Sequence, residues 1–328
     1  MLFPPVPDGL VPALLTRVDR SAYDVLTPSG AARVPAVPPG PDPLDAPTVG
    51  DWLALSPVPC AVEEVLPRTS LLVRGAARGT SKGQPLAANV EVVLICLGLS
   101  GPLPLRRLER LLALAWESGA TPVVVLTKAD LCHDLDAAFQ QVVPHAPGCE
   151  VVAVSAATGD VAALAPYASS TMVLLGGSGA GKSTVVNALM GAEVMATRAV
   201  RDVDGKGRHT TSHRELVLLP GGGVVIDTPG LRGVSLHAAD DGLALAFSDV
   251  EDLASACRFA DCAHAGEPGC AVLASVEAGD LGQDRVEAWR KLQRELAFQA
   301  RRTDARLRAE HARRWKQLAK ANRARPSR

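Results

Sequence analysis

Residues 171–184, TMVLLGGSGAGKST, leave this chain few ways to fold. Met172, Val173, Leu174 and Leu175 read as a buried strand. The strand breaks into Gly176-Gly177-Ser178-Gly179-Ala180-Gly181-Lys182-Ser183, which fits G-x-x-x-x-G-K-[ST] at every fixed position. A helical pattern follows through Val185, Val186, Leu189 and Met190. This strand–loop–helix order is the context a phosphate-binding loop requires. The glycines let the backbone curl around a polyphosphate with its N–H groups aimed inward at a helix N-terminus. Lys182 is placed to reach the β- and γ-phosphates, and the Ser183 hydroxyl to ligate Mg²⁺. The stretch through Thr184 predicts a nucleoside triphosphate site.

From residue 89 onward, apolar β-branched runs at 92–97, 122–126, 150–154, 172–175, 215–219 and 224–226 alternate with helical patterns, which predicts an α/β fold with a mostly parallel sheet. One predicted helix runs from Pro104 to Gly119, with Leu105, Leu108, Leu111, Leu112, Ala115 and Trp116 on one face. Thr127-Lys128-Ala129-Asp130, Ser155-Ala156 and Asp227-Thr228-Pro229-Gly230 each follow a strand, where ligands bind in open α/β sheets. Any one of these is weak, since polar residues at strand ends commonly cap the next helix. Together with the phosphate loop they form the pieces of a GTP site in an unusual order. In ordinary GTPases the phosphate loop comes first and the guanine-reading [NT]-K-x-D and S-A segments come last. Here TKAD and SA precede the loop, while Thr210, Thr211 and DTPG follow it, so the chain is similar to a circularly permuted P-loop GTPase.

The expected roles follow. Asp130 accepts hydrogen bonds from guanine N1 and the exocyclic amine, Lys128 lies along the base, and the N–H after Ser155, at Ala156, donates to O6. Thr127 keeps one hydroxyl for bridging where the general pattern has Asn. Asp227 holds Mg²⁺ through water, the Gly230 N–H contacts the γ-phosphate, and Thr211 or Thr210 closes over Mg²⁺. Leu231 stands where many regulatory GTPases place a water-orienting group, so intrinsic hydrolysis should be slow. His209 is the candidate to supply that group, against the alternative of a solvent-exposed loop histidine.

In front of this region the first fifteen residues are Pro-rich and read as loose. Short β-type runs near 16–18, 23–26, 33–37, 49–55 and 61–66 suggest a small barrel, with the five-stranded oligonucleotide-binding (OB) type fitting the count. Residues 76–86 read as a linker. The expected division is therefore 1–86 for the barrel, 87–242 for the GTPase domain and 243–328 for a C-terminal helical domain.

The C-terminal part opens with a helical stretch at 243–256 and then carries Cys257, Cys262, His264 and Cys270, spaced C-x4-C-x-H-x5-C. Three thiols and an imidazole can complete a closed tetrahedral zinc shell, which has no open position and is structural. The other four cysteines are scattered and read as packing. From Asp284 the chain turns helical and basic, with Val286, Trp289, Leu292, Leu296 and Phe298 as a packed face. The net charge of −1 conceals an asymmetry: from Arg285 to the end there are 15 Lys/Arg against four acids, leaving 19 basic and 31 acidic residues elsewhere. A basic tail on an acidic body points to an anionic partner. The start of the chain is uncharged and Pro-rich, unlike a signal peptide. The uncharged span 161–181 contains Pro166 and four glycines and runs into the phosphate loop, so no membrane segment is expected.

Taken together, these motifs resemble the ribosome small-subunit-dependent GTPase A family of bacteria. The matching residues are Val49-Gly50-Asp51-Trp52, Val65-Leu66-Pro67-Arg68-Thr69-Ser70, Gln84-Pro85-Leu86-Ala87-Ala88-Asn89-Val90, TKAD, the phosphate loop, Gly207-Arg208-His209-Thr210-Thr211, DTPG and the Cys–His cluster, from about residue 16 to 295. The resemblance implies an OB-type barrel, a permuted GTPase domain and a zinc domain. It further implies a cytoplasmic, monomeric GTPase that uses Mg²⁺ with GTP and one structural Zn²⁺, acts in late maturation of the small ribosomal subunit through its rRNA, and is stimulated by that subunit. Two rival readings are a permuted GTPase serving the large subunit, and an RNA-binding module that keeps GTP only as a structural ligand.

Overall fold

The computed structural model describes residues 3–38, 40–58, 60–75, 83–193, 215–227 and 240–303. The N-terminal strands are β1 (Val11–Val18), β2 (Ala22–Thr27), β3 (Gly30–Pro35), β4 (Trp52–Pro57) and β5 (Cys60–Val65). β1 pairs antiparallel with both β2 and β4, β2 with β3 and β4 with β5, while β3 lies against β5. That circuit closes the five-stranded barrel of the OB type. Alternate residues Ala13, Leu15, Tyr23, Val25, Val34, Leu53 and Leu55 point inward and form its core, as the two-residue period of a strand dictates. The expectation of a loose first fifteen residues is corrected: β1 begins at Val11, because Ala13 and Leu15 are fully buried and outweigh the donor missing at Pro12.

A separate hairpin follows, β6 (Leu71–Arg74) with β7 (Gln84–Ala88). The linker reading therefore fails from Gln84 onward, where Leu86, Ala87 and Ala88 are buried. The motifs around this hairpin fasten the barrel to it. Arg68 grips the fully buried Asp51 with Nε at 2.7 Å and Nη2 at 2.8 Å, and also donates to the carbonyls of Leu44 and Ala46. Asn89, held at φ 54°, donates to the Gly50 carbonyl and accepts from the Thr69 N–H, both at 2.9 Å.

The main sheet contains β8 (Val92–Gly98), β9 (Thr121–Thr127), β10 (Glu150–Val154), β11 (Thr171–Gly176), β12 (Glu215–Leu218) and β13 (Val224–Asp227). Its order is β10-β9-β8-β11-β13-β12, parallel except for β12, and β12 pairs with β1 through Glu215 and Arg17 to join sheet and barrel. The chain leaves β8 toward β9 on one side and returns with β11 on the other. That creates a topological switch point at the carboxyl ends of β8 and β11, where α/β sheets bind ligands. The helices here are α1 (Leu105–Glu117), α2 (Leu135–Val142) and α3 (Lys182–Met190).

The C-terminal helices are α4 (Asp240–Ala246), α5 (Ser248–Ser255), α6 (Ala271–Ala278) and α7 (Gln283–Thr303). The single stretch expected at 243–256 is two helices, because Phe247 breaks the turn and is fully buried beneath the Arg285 guanidinium, 4.6 Å from its ring centroid. α4 lies directly on α1: a Cβ at Gly242 would stand 2.2 Å from the Ala113 carbonyl oxygen, so only glycine fits. α1 is consequently buried on two sides, against the sheet and against the C-terminal helices. Leu105 and Trp116, expected on its apolar face, are only partly buried. On α7, Val286, Trp289, Leu292 and Leu296 are buried as expected, but Phe298 is 54% exposed, so the packed face ends at Leu296.

Candidate functional site

The phosphate loop is built as its sequence demands. Gly176, Gly179 and Gly181 all take positive φ, and a Cβ at Gly176 would sit 2.5 Å from the Cys96 carbonyl oxygen on β8. α3 starts at Lys182, immediately after Gly181, so its unpaired N–H groups face the loop. The Lys182 Nζ donates to the carbonyls of Gly176 at 3.1 Å and Gly177 at 2.7 Å, folding the ammonium over the cradle. Ser178 and Gly179 are exposed at the loop tip; Ala180 is buried, and Ser183 and Thr184 are half-buried on the first turn of α3. Beneath the loop, burial pushes the Cys96 thiol up to about 12, with Lys182 acting in the opposite sense. That thiol is a packing group, as expected.

The TKAD segment is locked to the same loop. Thr127 is buried and its Oγ1 donates to the Ala180 carbonyl at 2.8 Å, with the Leu97 carbonyl 3.3 Å away. The bridging hydroxyl expected at this position is therefore present, tying the end of β9 to the phosphate loop. Lys128 follows in the left-handed region at φ 61°, with Nζ 3.1 Å from the Ser100 hydroxyl. Asp130 is exposed at the rim; its N–H donates to Ser155 Oγ at 2.8 Å, and Ser155 Oγ donates to Asp130 Oδ1 at 3.1 Å. Ser155 and Ala156 thus stand beside the carboxylate that would read a base. Asp227 ends β13, the strand next to β11. His209, Thr210, Thr211, Gly230 and Leu231 lie outside the described residues.

The Cys–His cluster also assembles. The candidate ligand atoms of Cys257, Cys262, His264 and Cys270 lie within 4.8 Å of one another. Cys257 Sγ is 3.9 Å from Cys270 Sγ and 3.5 Å from His264 Nδ1, and His264 Nδ1 is 3.4 Å from Cys270 Sγ. With Zn–S near 2.3 Å and Zn–N near 2.0 Å, a tetrahedral shell needs S···S of about 3.8 Å and S···N of about 3.5 Å, so this donor set fits zinc. Burial raises the Cys257 thiol, but the N–H groups of Val272 and Ala271, with Cys270 and Cys262, reverse it to a net lowering. Burial and the neighbouring thiols push Cys262 up to about 11. Burial, then the Arg290 charge, lower His264, which keeps the ring neutral and able to ligate. Arg290 donates to the His264 carbonyl, and the His264 ring packs on Trp289 at 5.4 Å. Beside the cluster opens a cleft of about 820 Å³ whose lining includes Arg106, Arg290, Lys291 and Arg294 together with Glu251 and Glu287.

One constellation was not found from sequence. Arg285, read as the first residue of the basic tail, is buried and bonded to Glu109 and Asp249, while His145 Nδ1 lies 2.8 Å from Glu109 Oε1. Only an acid in the middle of the apolar face of α1 hinted at it.

Comparisons with known proteins agree with this geometry. Residues 65–237 match the family described as RsgA GTPase. The small ribosomal subunit biogenesis GTPase RsgA of Streptomyces avermitilis is 52% identical over 318 residues, covering 94% of this chain and 86% of that relative. Its namesake from Streptomyces coelicolor is 50% identical, covering 94% and 87%. Among solved structures, YjeQ from Thermotoga maritima is similar with a TM-score of 0.63 at 24% identity, over 88% of this chain and 98% of the other. YloQ, described as a circularly permuted GTPase, gives 0.62 at 23% identity over 89% and 98%. At those identities the two structures speak to the fold.

Proposed function

The chain belongs to the RsgA GTPase family, and from that premise we propose that it binds the small ribosomal subunit and hydrolyses GTP during late maturation of that subunit, which stimulates the reaction. The observation that carries the GTPase reading is the bond from Thr127 to the Ala180 carbonyl. It holds the guanine-reading segment and the phosphate loop as one unit despite their reversed order in the chain. Asp130 and Ser155 select guanine, since a site that pairs its polar groups with one base rejects a base that leaves them unpaired. The loop N–H groups and Lys182 bind the phosphates. Ser183, Asp227 and Thr211 would hold Mg²⁺, which supplies charge neutralisation on the β- and γ-phosphates. Gly230 contacts the γ-phosphate and His209 orients water when the subunit is bound. The Cys257–Cys262–His264–Cys270 set would hold one structural zinc.

Three parts divide the work: residues 1–86 as a barrel that meets rRNA, 87–242 as the GTPase domain, and 243–328 as a zinc domain with a basic tail. The cleft beside the Cys–His cluster, lined by four basic side chains against two acidic ones, supports an rRNA-facing role for that domain. Among the described residues no helix is long and apolar enough to cross a membrane, and a cytoplasmic monomer is the expected working form. Multiple-turnover GTP hydrolysis, with and without purified small subunits, tests the proposal. Stimulation by small subunits supports it; stimulation by large subunits alone, or GTP binding with no turnover under either condition, overturns it.

A further inference from the structure

Two serine hydroxyls flank the TKAD segment, one from each neighbouring strand. On the β10 side stands Ser155, which accepts from the Asp130 N–H at 2.8 Å and donates to Asp130 Oδ1 at 3.1 Å. On the β8 side stands Ser100, two residues past the end of β8, whose Oγ accepts from Lys128 Nζ at 3.1 Å. The sheet sets this placement. Gly98 is paired with Thr127, and the Leu99 N–H donates to the Thr127 carbonyl at 2.9 Å. The chain leaving β8 therefore stays beside β9 for one more residue, and Ser100 meets the side chain that follows Thr127. Ser155 belongs to a motif that the sequence announces; Ser100, in Leu99-Ser100-Gly101-Pro102, belongs to none.

Lys128 sits at φ 61° and ψ 40°, the left-handed region that non-glycine residues seldom enter. Its backbone is fixed by that turn and by Thr127, which is bonded to the Ala180 carbonyl. Its four-carbon stem is not fixed by either, and a free lysine stem gives up much rotamer freedom when it is laid along a ligand. Among the described residues, Ser100 is the one side-chain partner of the ammonium. A hydroxyl that holds the ammonium before the ligand arrives reduces the ordering left for binding to supply.

We infer, resting on the reading of TKAD as the base-reading segment, that Ser100 is a positioning residue for guanine nucleotides and acts through Lys128. Its hydroxyl takes one of the ammonium N–H groups and keeps the lysine stem extended along the wall of the base site. The contact stands at the end of β9, on the base side, whereas the phosphates meet the loop after β11. Its loss should therefore weaken diphosphate and triphosphate alike.

Stopped-flow dissociation and association of fluorescently labelled GDP, and of a labelled non-hydrolysable GTP analogue, test this with Mg²⁺ and the full chain. Wild type is compared with Ser100→Ala, Ser100→Thr, Lys128→Met and the Ser100→Ala, Lys128→Met double variant. Ser100→Ala should speed dissociation of both nucleotides by about 3–10-fold, the effect of one hydrogen bond, with association within about twofold. Ser100→Thr keeps the hydroxyl and should return dissociation to within about twofold of wild type. In the Lys128→Met background, Ser100→Ala should add nothing, because the contact is already gone. In steady-state turnover the change should fall on KM and not on kcat. Dissociation unmoved in Ser100→Ala would overturn the inference. So would the same acceleration in the Lys128→Met background, which would mean that the serine acts on its loop alone. Asp130→Asn separates the two levels. If it leaves GDP affinity at the wild-type level, TKAD does not read the base and the role of Ser100 falls with it; if it weakens GDP while Ser100→Ala does not, only the role of Ser100 falls.

Discussion

Arg285 on α7 and Glu109 on α1 form a buried ion pair, Nη1 to Oε1 at 3.0 Å, between residues 176 positions apart in the chain. Arg285 is 3% and Glu109 1% exposed. The guanidinium is also clamped by Asp249 at 2.5 and 2.6 Å and by the Ala246 carbonyl, so four of its contacts tie α7 to the α4–α5 corner and to α1. The helix that runs beside the phosphate loop is thereby fixed to the helices that carry the Cys–His cluster.

Arg285→Met should cost about 3–5 kcal/mol in the stability of the C-terminal helices, because it leaves the buried Glu109 carboxylate with only His145 beside it among the described residues and removes the forked partner of Asp249. Glu109→Gln in the same background should recover part of that, giving an interaction energy above about 1 kcal/mol in a double-mutant cycle. Hydrogen exchange of α1 and α7 measures it directly. Protection of both helices unchanged in Arg285→Met would refute the interpretation.

The nucleotide site was legible because its signals are local. The apolar run, the glycines and the lysine of 171–184 specify a strand end, a left-handed loop and a helix start within one contiguous segment. The Cys–His cluster was legible for the same reason, four donors within fourteen residues. What escaped depends on distant partners. The β6–β7 hairpin was missed because Gln84-Pro85-Leu86-Ala87-Ala88 has weak strand propensity and is held by pairing with β6 and burial near α1. The Glu109–Arg285 pair joins residues that no spacing rule connects. Phe298 was placed in the core for its apolar character, but it follows Leu296 by two residues, about 200° around the helix, and faces away from the packed side.

Base selectivity should track Asp130. GTP and GDP are expected to bind far more tightly than ATP. Asp130→Asn should weaken guanine nucleotides by about 10–100-fold, the loss of one or two hydrogen bonds to a charged acceptor, and favour xanthine nucleotides, whose edge reverses one donor. A fluorescence titration in which wild type binds ATP and GTP equally would discard this role.

Purified without chelator, the protein should contain about one zinc per chain. Cys262→Ala should lower zinc content and loosen α5, α6 and the start of α7, where Trp289 packs on His264, while GDP affinity stays near wild type. Metal analysis finding no zinc in wild type would be decisive against the cluster as a zinc site.

Activation by the small subunit should depend on charge as well as shape. The chain holds two Tyr, four Trp and five Phe, too few aromatic side chains for base stacking to dominate, so backbone and shape contacts should carry recognition of the rRNA. The 15 basic residues from Arg285 onward add attraction to phosphates that falls steeply with salt. Small subunits are expected to raise kcat many-fold. His209→Ala should lose most of that gain, by about 10²–10⁴-fold for a group that handles the attacking water, and still bind GTP. Truncation after Phe298 removes 11 of those basic residues and should weaken subunit binding while flattening its salt dependence, with basal turnover little changed. If subunits leave the turnover rate unmoved at low salt, the coupling between rRNA binding and hydrolysis does not exist.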